Sequence, residues 1–588
     1  MKLKTSWFNK TVFRKDILRY SPIWAVYTIF LLLVIFGLSD SSRLYMARNV
    51  GDYLKAMAWI NLFYGGICGV FLFMDLFNGR LCNALHAFPM RREGWLTTHI
   101  FSGFLFSFVP NLLVSVISAL MLLDYAYVAP IWLVGATLQF VFFFGTAVLA
   151  AMCAGNLLGT VAIYGITHFI TVLVYAVIQL LYQPLLFGVR LNDDGYARFF
   201  PLSKMTVFEY AELTYSYESS IGLGDAEAVL CFNGLEGEAW IYVGLCAVVG
   251  VLCLLLAGLV YRRRHLETAG DFISLKPLAP IFLLICTVGG GAFLYAFSDL
   301  VGDPTYLFLI LGMAIGYFAA KMFLERTVKV FGKKSLLGLG VLVAVLGSSL
   351  LLTWLDPVGI TTYVPKLSSI ESACVTGADR GYSYDSLFDY NVSYREDGYK
   401  ITDAEGITQL QDFHRELISY RPSDDDGVWC DVRIQYKLKS GKVVSRYYEV
   451  GRNTDLGKQA GKYFSEMGYV FNVKDEKRLY DAFSSVNVNI YEDGMNIDVK
   501  LTSRHDIADL LDAIAKDCQA GKMAQNWAFH QENGIRREYS VEFTVADSDQ
   551  RQKLGWNNNY FYLQIYADST NTVEFLKDKC TANGDIVK

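Results

Sequence analysis

Residues able to do chemistry are sparse in this chain, and the spacings that would concentrate them are absent. There is no G-x-x-x-x-G-K-[ST] phosphate loop. The nearest segment, Gly451 to Gln459 with Gly457-Lys458 at its end, has the wrong spacing and lacks the Ser or Thr that would hold magnesium. H-E-x-x-H, C-x-x-C and G-x-S-x-G are missing too, so zinc and serine-hydrolase chemistry have no motif behind them. No metal, cofactor or catalytic residue is expected. His414, Arg415 and Glu416 stand together on one predicted helix, where a solvated face accounts for them. Within the apolar stretches the polar candidates are Asn61, Gln139, His168 and Gln179. Such groups mark a substrate path or hold helices together by hydrogen bonds. Asn61 and His168 are candidate pathway residues, with helix packing as the plainer alternative.

The elements that would position these residues are mostly membrane spans. Of 588 residues, 53% are hydrophobic and only 19% charged, where a soluble domain carries roughly 25%. Residues 1–356 hold 24 Lys and Arg against 21 Asp and Glu, a net of +3. The remainder holds 28 against 36, a net of −8. Neither part has the basic excess that nucleic-acid binding requires. A span needs roughly 20 apolar residues to cross about 30 Å of hydrocarbon. Nine runs approach that length: Ile23–Leu38, Ala56–Met74, Ile100–Leu123, Ile131–Ala154, Gly159–Leu181, Trp240–Tyr261, Leu278–Phe297, Tyr306–Phe323 and Leu336–Leu355.

Lys and Arg gather in alternate connections: before the first run, at Arg80, Arg91 and Arg92, at Arg262 to Arg264 with Lys276, and at Arg326 to Lys334. The loop Leu191–Ala239 is acidic instead. The positive-inside rule then puts the N-terminus in the cytoplasm, and nine crossings put the tail outside. The tail alternates strands with amphipathic stretches and repeats itself. Glu396-Asp397-Gly398 precedes Lys400-Ile401-Thr402, and Glu492-Asp493-Gly494 precedes Lys500-Leu501-Thr502, each followed by a helical pattern. Five cysteines fall on this outer side, an odd number, so no disulfide is assigned.

The expected fold is a polytopic α-helical membrane protein of about nine transmembrane helices, followed by an α+β extracytoplasmic domain of two repeated units. The divisions are 1–22, 23–261 with an outer loop at 191–239, 262–356, and 357–588 with repeats at about 385–475 and 485–588. Two elements face the cytoplasm. Trp7, Phe8, Phe13, Arg14 and Arg19 alternate apolar and basic character at helical spacing, which predicts an interfacial helix ending at Ser21-Pro22. Between the second and third runs, Leu85, Phe88, Pro89, Met90, Arg91, Arg92 and Glu93 form a short amphipathic stretch. Phe88 and Met90 would fill a hydrophobic groove on a partner, with the three charged residues as its rim; a solvated loop is the alternative.

Trp7-Phe8-Asn9-Lys10, Leu85-His86-Ala87-Phe88-Pro89-Met90-Arg91-Arg92-Glu93, Tyr261 to Asp271, and Asp356-Pro357-Val358-Gly359 at the head of the tail carry a resemblance. The chain resembles the permease subunits of bacterial ATP-binding-cassette transporters of the type-2 exporter class, in a Gram-positive branch with an added extracytoplasmic domain. The resemblance implies a six-helix core behind an interfacial helix, and three further spans carrying the tail. It also implies a cytoplasmic ATPase docked on the segment from Leu85 to Glu93, and a second permease subunit, identical or not. Two other classes stay open: a membrane-anchored sensor or envelope-binding protein that uses the tail, and a membrane-bound outer enzyme.

Overall fold

The computed structural model describes residues 7–37, 47, 49–87, 91–190, 200–218, 227–264, 266–302, 306–379, 401–421, 429–451, 454–457, 459–460, 483–492, 495–519, 537–545, 560–567 and 569–582. Its helices are α1 (Lys10–Arg19), α2 (Ser21–Gly37), α3 (Val50–Leu72), α4 (Gly79–His86), α5 (Arg92–Met121), α6 (Val128–Cys153), α7 (Leu157–Val177) and α8 (Pro201–Val207). After the hairpin β1 (Ala211–Glu218) and β2 (Glu227–Leu235) come α9 (Gly237–Arg263), α10 (Leu278–Val301), α11 (Tyr306–Glu325) and α12 (Lys333–Leu355). Contacts divide the chain into two units. One comprises Met1–Tyr182 with Leu191–Leu350, the other Gln183–Arg190 with Leu351–Lys588.

Eight of these helices are long and apolar enough to cross a membrane, and α1 with α2 makes a ninth candidate bent by 59°. The bend has a local cause. Pro22 has no N–H to give the Leu18 carbonyl, and the Ser21 hydroxyl bonds that carbonyl instead at 3.0 Å. Inside α5, Pro110 leaves the Phe106 carbonyl without its helical donor, and the Tyr64 hydroxyl of α3 takes that place at 2.9 Å. Polar side chains thus join helices where water is excluded. Asn111 donates to the Tyr27 hydroxyl at 3.0 Å and accepts from Trp132 Nε1 at 3.1 Å, joining α2, α5 and α6. Close approach does the rest. A Cβ on Gly69 would lie 2.6 Å from that of Ala147, so α3 and α6 meet at backbone distance only because that side chain is missing.

The second unit contains two small sheets. The first joins β3 (Ile370–Asp379), β4 (Trp429–Leu438) and β5 (Val443–Gly451) in that order, and Ile401 bridges Ala373 on the other side of β3. Helix α13 (Ala404–Ser419) buries Ile407, Leu410, Phe413 and Leu417 against it. The second sheet runs β7 (Met495–Leu501), β6 (Phe483–Glu492), β8 (Arg537–Val545) and β9 (Tyr560–Tyr566). Helix α14 (Arg504–Gln519) follows β7, and α15 (Thr570–Ala582) closes the chain. Helices α13 and α14 both have 16 residues and start 100 positions apart, and Ile401, bridged to Ala373 of β3, stands where Leu501 ends β7 opposite Val486 of β6. The turns Glu396-Asp397-Gly398 and Asp493-Gly494 lie outside the described residues.

Candidate functional site

The densest polar cluster joins the N-terminal helix to the start of α5 and the end of α3. Asn9 caps α1, its side chain accepting from the Thr11 and Val12 amides at 2.9 and 3.2 Å. Its own amide donates to Thr98 Oγ1 of α5 at 3.0 Å, and Thr97 Oγ1 donates to the Trp7 carbonyl. Two turns further along α1 the buried carboxylate of Asp16 accepts from Ser102 Oγ at 2.8 Å. It also lies 2.8 Å from His99 Nδ1, near enough for a charge contact but out of line for a hydrogen bond. At the helix end Arg19 Nη1 reaches both oxygens of Asp75 at 3.0 Å, in the 3₁₀ turn Met74–Phe77 that follows α3. Phe8, Phe13 and Phe101 fill the remaining side with ring centroids 5.5 to 5.8 Å apart. Three separate polar links along one ten-residue helix fix its rotation as well as its position.

The same end of the bundle gathers the later connections. The buried guanidinium of Arg264, just past α9, donates to the Ala151 carbonyl at 2.9 Å and the Leu76 carbonyl at 3.4 Å, closing the end of α6. The Gly270 amide donates to the Gly155 carbonyl at 2.6 Å and Ser274 to Cys153 at 2.8 Å. Arg326 pairs with Asp271 at 2.9 Å. The basic connections before α2, after α3, after α9 and after α11 therefore meet at one end, tied by ion pairs and by bonds to backbone carbonyls.

Helix α4 runs from Gly79 to His86. Phe88, Pro89 and Met90, and the side chain of Leu85, lie outside the described residues. Arg91 is exposed at the N-terminal boundary of α5, and Arg92 is half-buried in its first turn. Glu93 follows, where its charge favours the helix N-terminus, and pairs with Arg262 Nε at 3.2 Å. That pair is largely exposed, so it adds little stability. Trp7 and Arg14 also face outward.

Asn61 and His168 both have partners within the chain. Asn61 Nδ2 donates to Gln139 Oε1 and to the Ala136 carbonyl, each at 3.2 Å, while Gln139 Nε2 donates to the Tyr210 hydroxyl at 3.0 Å. His168 Nε2 lies 2.9 Å from Thr146 Oγ1, ringed by Phe142, Phe143 and Tyr164. Both join helices.

The solvated-face expectation fails for His414. Arg415 and Glu416 point outward, but His414 is fully buried, with Nδ1 3.1 Å from the Tyr436 hydroxyl and Nε2 2.8 Å from that of Tyr448. Burial, helped by Arg446 and Arg415, pushes it down from 6.5 to about 4. Among the described residues no group of His, Cys, Asp and Glu could hold a metal. What sequence reasoning missed at this end of the bundle is Asp16, Asp75, His99, Ser102 and Arg264. No periodicity marks a carboxylate whose partner is 86 residues away. No protein family matches the chain, and no curated protein or solved structure does. The functional reading therefore rests on the residues themselves.

Proposed function

We propose that the chain is the membrane-spanning permease subunit of an ATP-driven transporter, working as an exporter with a separate cytoplasmic ATPase. The observation that carries this reading is the attachment of α1 to the segment around the second loop, through Asn9 to Thr98, Asp16 to Ser102 and Arg19 to Asp75. A subunit driven from outside needs a rigid element that takes up a push and passes it to its spans. The joint formed by α1, the 3₁₀ turn and the start of α5 has that character. The basic end of the bundle lies in the cytoplasm in this reading, and the second unit lies outside as a duplicated α+β domain. The ATPase docks on Leu85 to Glu93, and a second permease subunit completes the pathway. The chain lacks a phosphate loop of its own, so hydrolysis belongs to the partner.

Affinity purification of the tagged chain in mild detergent, with partners identified by mass spectrometry, tests the proposal. A stoichiometric ATPase is expected with the natural chain and is lost with Phe88→Ala/Arg91→Ala while the chain stays monodisperse. An intact chain without an ATPase in either sample overturns it, and favours a membrane-anchored sensor built on the outer unit.

A further inference from the structure

The second unit is completed by eight residues from far away in the chain. Gln183–Arg190 belong to it, although the segment to which they are joined, Met1–Tyr182, belongs to the first. Among the described strands β5 has a neighbour, β4, on one side only. On its free side the Tyr447 amide donates to the Gly188 carbonyl at 3.0 Å, so a donor left open by the sheet is satisfied by the strap. Gly188 is held at φ +74, and a Cβ there would come within 2.6 Å of the Tyr448 ring, so the contact needs glycine twice over. Phe187 packs on the same ring with centroids 5.5 Å apart, and the Arg421 guanidinium lies 4.4 Å from the Phe187 centroid. The Tyr448 hydroxyl in turn meets His414 Nε2 at the centre of the first sheet's core.

The other end of the strap is equally unusual. Helix α7 does not stop at Val177 but widens into a π-turn over Ile178–Tyr182 and then tightens into a 3₁₀ turn over Gln183–Leu185. A wide turn followed at once by a tight one is a place where a helix end can shift register at small cost. The change falls where the chain passes from one unit to the other. Within the first unit Tyr182 Oη lies 2.7 Å from Ser349 Oγ, one residue before the last of that unit's residues on α12.

We propose that Gln183–Arg190 is a strap without which the second unit is incomplete, closing the free side of β5 and bracing the core of that sheet through Tyr448. The proposal does not depend on the transport reading, because it concerns the chain alone.

Hydrogen–deuterium exchange on the full chain in detergent tests it. Gly188→Val and Phe187→Ala should each speed exchange of the Tyr447 amide by about tenfold or more, and loosen α13, while β8 and β9 stay unchanged. An unchanged Tyr447 amide in Gly188→Val overturns the closure, and an unchanged α13 in Phe187→Ala overturns the bracing of the core. A second measurement does not rely on destabilising variants. In Phe187→Cys/Tyr448→Cys, with a protease site placed within 219–226, a short bis-maleimide should keep the two fragments joined after cleavage. Fragments that separate despite full labelling of both thiols overturn the placement of the strap.

Discussion

A carboxylate held away from water is costly unless its charge is met, and Asp16 and Asp75 are met in different ways. Asp16 accepts from the Ser102 hydroxyl, whereas Asp75 has both of its oxygens on one guanidinium. The Arg19 side chain is about a third exposed (34%) while Asp75 is nearly covered (8%). Solvent screening weakens the attraction, yet removing the cation strands the buried anion. Arg19→Ala should therefore cost about 1 to 3 kcal/mol in thermal or denaturant unfolding of the full chain. Arg19→Met/Asp75→Leu should recover most of the loss; if the double variant is as unstable as the single, the penalty lies elsewhere. His414 gives a pH prediction. Folding lowers its proton affinity from 6.5 to about 4, so the unfolded chain takes up the proton first as the solution is acidified. The stability gained from keeping the ring neutral is full above pH 6.5 and is lost as pH falls towards 4. The loss is up to about 3 kcal/mol. In His414→Gln that slope should shrink, as read from melting temperatures across pH 7 to 4.

Helices and strands were legible wherever their signal was local. Each of the nine apolar runs finds a helix, most ends displaced by a few residues; α5 starts at Arg92, eight residues before Ile100, where Glu93 suits its first turn. The hundred-residue spacing between α13 and α14 was visible because both helices bury an Ile and a Leu at the same two positions. The repeat also hid a difference. Where the first copy buries Leu417, the second places Asp517, whose oxygens accept from the Asn571 and Thr572 amides at 3.1 and 2.7 Å at the start of α15. A carboxylate there satisfies helix N–H groups that have no intrahelical partner. Asp517→Ala should loosen α15 by about 2 kcal/mol, seen as faster amide exchange over 570–582, while α13 keeps its protection. Equal loosening of both helices would contradict this division. The strap was not legible, since Leu186-Phe187-Gly188-Val189 falls between the run ending at Leu181 and the loop starting at Leu191, and nothing local marks its partner at Tyr447.

At the scale of the whole molecule, the first unit gathers its basic connections at one end, and the joint that binds α1 to α5 lies there. This is the arrangement expected of a subunit that takes a mechanical input at that end. The second unit is built from two sheets of matching order and receives the chain at Gln183 as well as at Leu351. In the proposed function a partner supplies energy and this chain converts it into movement, with the joint between α1 and α5 taking up the input. ATP hydrolysis by the co-purified complex, reconstituted in lipid nanodiscs, tests that claim most directly. The account predicts hydrolysis by the complex, none by the chain alone, and a drop of about tenfold or more in Phe88→Ala/Arg91→Ala, with folding of the chain unchanged. Hydrolysis that is the same with and without those side chains, or the absence of any ATPase from the purified complex, would contradict it.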